Sequence, residues 1–264
     1  MTLFPYTTLF RSLVTGGSQG IGEAVARALS QEGAIVAVVA SSSVEKAVAV
    51  ARTLGAAEGR AKGYAADVRD ADAMTQLAKE IVADFGRIDI LVNCAGVFVP
   101  TPIESDDNSN MNNTVDINVK GTWNAISAVV PEMKRNRYGK IVNIASVCGV
   151  MGFGSFAAYC ATKAAVIMLT KTLVFELAPH GININAIGPG NTATPINEYI
   201  RKDPEYASVL KEIVDQTPSG NAYSSPEDIA QIALFLVSDA ARAMHGSFVL
   251  ADEGYSAGAD FTSD

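Results

Sequence analysis

The chain is short of the residues from which several kinds of site are built. Three cysteines, Cys94, Cys148 and Cys160, are too few and odd in number for a disulfide framework, which suits a reducing cytoplasm. Two histidines, His180 and His245, stand far apart, so no His-based metal site or zinc motif can be written and no metal is expected. Charged residues make up only 18%, with 28 acids against 20 bases. At a net charge of -8 and a pI near 4.8 the surface repels phosphate backbones and anionic lipid, which argues against nucleic-acid and membrane partners. The longest purely apolar run, residues 34–40, is far too short to span a bilayer. What remains is apolar: 48% of 264 residues, enough for one large globular domain.

Residues 2–12 read like an in-frame translation of a sequencing-adaptor oligonucleotide joined to a truncated gene, so a cloning or assembly scar is expected over residues 1–12. They have no charged start, no apolar core of seven residues and no small-residue cleavage site, and no export signal is read. Arg11, at the start of the first strand, is then the expected local misfit.

From Leu13 onward short apolar runs alternate with helical stretches, at residues 13–15, 34–40, 63–66, 88–93, 140–146, 182–187 and 247–251. Seven strands with helices between them predict an α/β fold, a Rossmann-like, doubly wound parallel sheet over residues 13–264, treated as one domain. The runs hardly alternate with polar residues, as expected where helices cover both faces. An irregular insert at about 189–226 carries Pro195, Pro204, Pro218 and Pro226 around a polar helical stretch. It sits just past a strand's carboxyl end, where a lid over a crevice belongs.

The first strand runs into Thr15-Gly16-Gly17-Ser18-Gln19-Gly20-Ile21-Gly22 and then an Ala-rich helix. Glycines there allow a tight turn and bring helix amides close to a pyrophosphate. The same letters fit the Gly-x-Ser-x-Gly elbow of serine hydrolases at Ser18. That elbow normally follows several strands, whereas Ser18 follows the first. Further on, Tyr159 and Lys163 stand four residues apart on one face of a helix, with Ser146 at the end of the preceding strand.

These pieces, with Asp67, Asn93-Cys94-Ala95-Gly96, Asn118 and Pro189-Gly190, make the sequence resemble the short-chain dehydrogenase/reductase family from Leu13 to Gly258. The resemblance implies a catalytic set of Asn118, Ser146, Tyr159 and Lys163 that interconverts a carbonyl and a secondary alcohol. Tyr159 would protonate the carbonyl oxygen, Ser146 polarise it, Lys163 hold the nicotinamide ribose and lower the phenol's pKa, and Asn118 position a water. Poising a phenol near neutrality takes about 4 kcal/mol of preferential stabilisation of the phenolate. The implied cofactor contacts are Gly16, Ser18, Gln19, Gly20, Ile21 and Gly22 at the pyrophosphate, and Asp67 and Val68 at the adenine. Asn93 braces the sheet, Ala95 and Gly96 back the adenine ribose, and Pro189, Gly190, Thr192 and Thr194 hold the carboxamide. Cys94 stands where a second Asn is frequent. A non-catalytic cofactor sensor of the same fold would be expected to lack Ser146, Tyr159 or Lys163, and this chain has all three.

No acid lies between residues 33 and 44, at the end of the second strand, where a carboxylate would accept from a ribose 2′-OH. Ser41, Ser42 and Ser43, with Lys46 nearby, could instead cradle a 2′-phosphate, so NADP(H) is expected over NAD(H), although no basic residue stands at Ser18 or Gln19. Cys148, Phe153, Phe156, Asn191 and Tyr199 are the expected substrate pocket, with Met151 and Ile196 adding apolar surface for a small hydrophobic carbonyl compound. The branch resembled also contains 3-oxoacyl-carrier-protein reductases and sugar or polyol dehydrogenases, and both stay open as alternatives. Lys134, Arg135, Arg137 and Lys140 form a basic cluster that an acidic carrier protein could meet, or a plain solvated turn. By the same resemblance, pairing of the helices at 114–133 and 158–178 and of the tail at 254–258 implies a homotetramer.

Overall fold

The computed structural model describes residues 10–258. Of the expected scar, residues 1–9 lie outside the described residues. The elements are β1 (Arg11–Thr15), α1 (Gly20–Gln31), β2 (Ile35–Ala40), α2 (Val44–Thr53), β3 (Ala61–Ala65), α3 (Ala71–Phe85), β4 (Ile90–Asn93), α4 (Ser109–Val115), a π-helical turn at Asp116–Gly121, α5 (Thr122–Asn136), β5 (Gly139–Ile144), α6 (Ala157–Leu177), β6 (Ile182–Pro189), α7 (Glu198–Lys202), α8 (Ala207–Gln216), α9 (Pro226–Val237) and β7 (Phe248–Ala251). All seven strands pair in parallel in the order β3-β2-β1-β4-β5-β6-β7. The order reverses between β1 and β4, and a crevice opens there above the carboxyl ends of the strands.

The apolar runs become central strands because helices bury both of their faces. One layer packs α1, α2 and α9 on Val14, Val36, Val38 and Val92; the other packs α3, α5 and α6 on Leu13, Leu91, Ile141 and Ile184. Local chemistry sets the helix starts. Ser43 accepts from the Lys46 amide at α2 and Asp70 from the Ala73 amide at α3, while Ser225 and Asp228 form a reciprocal capping box ahead of Pro226. Each such cap contributes about 1 kcal/mol. Polar ties fix the sheet's centre: the Asn93 amide donates to Asn143 Oδ1 at 2.9 Å, and Asn143 donates to Thr170 Oγ1 on α6 at 2.9 Å, all buried. With water excluded, such a chain tolerates little displacement.

Two expectations need correction. Arg11 is no misfit: its amide donates to Asp89 Oδ2 and its Nε to the Phe85 carbonyl, and it pairs in register with Ile35. The start of a strand tolerates a long side chain whose cation meets a main-chain acceptor. The basic cluster loses one member, because Lys140 is buried in β5 and donates to Asn183 Oδ1 at 2.8 Å; Lys134, Arg135 and Arg137 stay at the surface, with Arg135 paired to Glu132. One segment among the described residues, Ala157–His180, is long and apolar enough to cross a membrane by composition. Here it is α6 and its C-terminal turn, packed on β6 and carrying Tyr159 and Lys163 to the crevice.

Candidate active site

A cavity of about 800 Å³ runs along the carboxyl ends of the strands, a size suited to a dinucleotide or substrate site. Its floor at one end is the turn between β1 and α1. Gly16 takes a left-handed φ of +62°, and a Cβ on Gly22 would fall 2.2 Å from the Gly16 carbonyl oxygen, so the turn closes only without side chains there. No side chain caps α1 at Gln19. The first amides of that helix therefore face the cavity as a ready anion site. Ser18, Gln19, Gly20 and Ile21 complete this wall, facing Cys94, Ala95 and Gly96 after β4. Neither histidine lines the cavity, which leaves Ser18 without the base a hydrolase elbow needs.

Ser41, Ser42 and Lys46 line the edge beside β2, as expected. Ser43 lines it too, but its hydroxyl is taken: it caps α2 and donates to Glu45 Oε2 at 3.0 Å. Asp67 and Val68 are in place after β3, yet both Asp67 oxygens are gripped by Arg69 at 2.6–3.0 Å, which holds that carboxyl well below its ordinary value. The Arg69 guanidinium also donates to Asn113, and both residues line the cavity. Nothing short of the fold marked either of them, since neither stands in a motif. Asn93, expected among the cofactor contacts, is not among the residues that line the cavity; its amide donates across the sheet to Asn143.

In the middle of the cavity Ser146, Tyr159 and Lys163 converge. Ser146, just after β5, accepts from the Cys148 amide at 3.1 Å, and its hydroxyl is close enough to the Tyr159 phenol to favour the phenolate. Burial pushes that phenol above its ordinary value, and the Ser146 hydroxyl works against the shift. Lys163 Nζ donates to the Ile144 carbonyl at 2.9 Å and lies 5.5 Å from the Tyr159 ring centre; burial pushes its pKa down to about 8. Asn118 sits in the π-helical turn, a local distortion frequent at functional positions. Its side chain does not reach the cavity wall. Oδ1 accepts from the Val97 amide, while Nδ2 donates to the Val97 carbonyl and to Thr162 Oγ1. Asn118 and Lys163 both lie against Gly96: a Cβ there would be 3.3 Å from Asn118 Oδ1, a tight contact, and 3.6 Å from Lys163 Nζ, an ordinary one.

Pro189, Gly190, Asn191, Thr192 and Thr194 form the wall beyond β6. Thr192 bridges to Ser224, and the Asn197 amide ties down its carbonyl. Of the expected pocket, Cys148, Phe153 and Asn191 line the cavity, but Phe156 and Tyr199 do not. Phe156 is one layer behind, stacked on Phe98 at 4.1 Å, and it is Phe98 that meets the Tyr159 ring edge-on at 4.8 Å. Tyr199 packs edge-on against Tyr206 on the outer side of the lid. The inner side is made by Ile196, Ile200, Val209, Glu212, Ile213 and Gln216, with Tyr223 and, from the tail, Tyr255. The tail, read from sequence as an assembly element, thus also closes the cavity.

The short chain dehydrogenase family model matches residues 11–205. The chain belongs to the short-chain dehydrogenase family. Members are oxidoreductases that use NAD(H) or NADP(H), and the uncapped helix start and side-chain-free turn fit such a dinucleotide. A 3-oxoacyl-[acyl-carrier-protein] reductase of Staphylococcus epidermidis is 36% identical over 243 residues, covering 92% of this chain and 97% of that one. D-threitol dehydrogenase of Mycolicibacterium smegmatis is 37% identical over 244 residues, covering 92% of each. Among solved structures, a gluconate 5-dehydrogenase from Burkholderia cenocepacia in complex with NADP and tartrate superposes with a TM-score of 0.88 at 31% identity, over 95% of this chain and 96% of that one.

Proposed function

We propose that the protein reduces a small, largely hydrophobic ketone or aldehyde to an alcohol with NADP(H), and that Tyr159 is its general acid and base. The convergence of Ser146, Tyr159 and Lys163 in the middle of the dinucleotide cavity carries this reading. When bound, the cofactor supplies hydride. Tyr159 gives its proton to the carbonyl oxygen, and the Ser146 hydroxyl donates a second hydrogen bond to that oxygen. A phenol kept protonated by burial is in the right state for this step, and Lys163 offsets the charge that remains on it. Lys163 also holds the ribose, and Asn118, locked to Val97 and Thr162, keeps Gly96 and Lys163 in register. Phe98 and Phe153 with Ile196 and Ile200 supply the apolar walls against which the substrate's body packs.

Ser41, Ser42 and Lys46 would receive a 2′-phosphate, which supports NADP(H). The protein would act in a reducing cytoplasm, where its three free cysteines persist, and as a homotetramer. For the assembly the support is Trp123 on α5, Met168 and Phe175 on α6 and Leu250 on the edge strand β7, all exposed in the single chain. A kinetic panel of aryl ketones, acyl thioesters and polyols with NADPH and NADH tests the reaction; preference for hydrophobic ketones with NADPH is the expected result, and preference for polyols with NAD+ would replace it. Light scattering tests the assembly, with a monomer mass counting against it.

A further inference from the structure

The charges around the cavity are unevenly shared. Its cations are Lys46 and Arg69 at the β2–β3 edge and Lys163 in the middle, and Arg69 is already neutralised by Asp67. The lid end beyond Tyr159 has one charged residue among the described lining residues, the Glu212 carboxylate on α8. The two cations of the adjacent lid helix are engaged by the lid itself: Arg201 donates to the Thr194 carbonyl and Asn197 Oδ1 and lies 5.7 Å over the Tyr223 ring, and Lys202 pairs with Glu198. Glu212 is tied into a directed chain. Tyr255 Oη donates to Gln216 Oε1 at 3.0 Å, and Gln216 Nε2 donates to Glu212 Oε1 at 3.0 Å. That arrangement leaves Glu212 Oε2 as a bare acceptor. Tyr255 and Cys148 line the same cavity. The Tyr223 hydroxyl is buried on the wall of this cavity without a hydrogen-bond partner.

Resting on the reductase reading above, we infer that the lid end selects carbonyl substrates that carry a hydrogen-bond donor, an ammonium above all, and no anionic group, with Glu212 as the determinant. An anionic substrate would meet a carboxylate there, with Arg201 already engaged by the Thr194 carbonyl, Asn197 and the Tyr223 ring. An ammonium or hydroxyl would meet Glu212 Oε2, and a second polar atom would satisfy Tyr223.

The test is a trio of ketones of matched length carrying an ammonium, a methyl or a carboxylate group on the arm away from the carbonyl. In wild type, kcat/KM should fall in that order, with about tenfold or more between ammonium and carboxylate. Glu212→Gln should flatten the series and Glu212→Lys should reverse it, while the Kd for NADPH stays unchanged because Glu212 lies at the far end from the dinucleotide turn. Calorimetric titration of the three corresponding alcohols into the enzyme with its cofactor should give the same order without relying on turnover. A wild-type preference for the carboxylate compound, a series that Glu212→Lys leaves as it was, or binding of none of the three alcohols would overturn the inference. Turnover of the methyl ketone, abolished by Tyr159→Phe, reports on the reductase reading separately, since it holds or fails whatever the charge series does.

Discussion

At the dinucleotide end the cavity wall is main chain at the tips of β1, β2 and β4 and the start of α1, held by a sheet whose strands are almost wholly buried. At the lid end it is side chains from α7, α8 and the tail after β7, on short segments with few buried residues. The first end depends on what cannot be added, and the second on which side chains are present. A backbone site of the first kind tolerates almost no substitution, whereas the second can be rewritten with little effect on the fold.

The largest contrast should come from paired substitutions. Gly22→Ala puts a methyl group against the Gly16 carbonyl, so NADPH affinity should fall at least about a hundredfold and Tm should drop by several degrees. Titration of cofactor fluorescence and a thermal melt check both, and near-normal affinity would break the contrast. The next effect concerns Lys163. Its folded pKa of about 8 lies below the ordinary 10.5, so the folded state holds fewer protons than the unfolded one between those values. Burying the cation therefore costs stability below pH 8, and the cost is relieved as pH rises toward 10.5. Lys163→Met should lower kcat about a hundredfold yet raise Tm by roughly 5 °C at pH 7, with the gap closing by pH 10. A lower Tm across the whole range would show that its bond to the Ile144 carbonyl outweighs desolvation.

Cofactor choice should respond more modestly. Ala40→Asp adds a carboxylate at the tip of β2 and should move the NADPH/NADH ratio of specificity constants toward NADH by about tenfold. An unchanged ratio would mean that Ser41, Ser42 and Lys46 do not face the 2′ position. The smallest change belongs to the lid. Ile200→Ala should alter KM for a hydrophobic ketone about threefold with the NADPH Kd unaffected, as steady-state kinetics would show.

The same contrast explains what could be read from the sequence. The strands were legible because buried parallel strands are apolar without alternation, and the Gly16 to Gly22 turn, Ser146, Tyr159 and Lys163 because their spacing is fixed by one strand end or one helical turn. Asn93 was legible as a sheet brace, and its amide does donate to Asn143 on the neighbouring strand. Arg69 and Asn113 were not legible, because a loop and a distant helix bring them together. Phe156 and Phe98 show the limit most plainly: either aromatic could have faced the cavity, and only the packing of the chain after β4 on the start of α6 puts Phe98 in front. Glu212, Gln216 and Tyr255 belong to one wall but come from α8 and the tail, a pairing that no local pattern encodes. Lys140 looked like part of a surface cluster because charge is usually solvated, whereas Asn183 on β6 gives it a buried partner.

The central claim is that one cavity would bring a nicotinamide hydride donor next to a tyrosine acid in its middle. Reduction of a neutral aryl ketone with NADPH deuterated at the transferable position, followed by mass spectrometry of the alcohol in wild type and Tyr159→Phe, tests it most directly. The account predicts an alcohol carrying one deuterium from wild type, about a thousandfold slower formation in the variant, and an NADPH Kd within threefold of normal. An unlabelled product, or a variant that keeps a tenth of the rate, would contradict it.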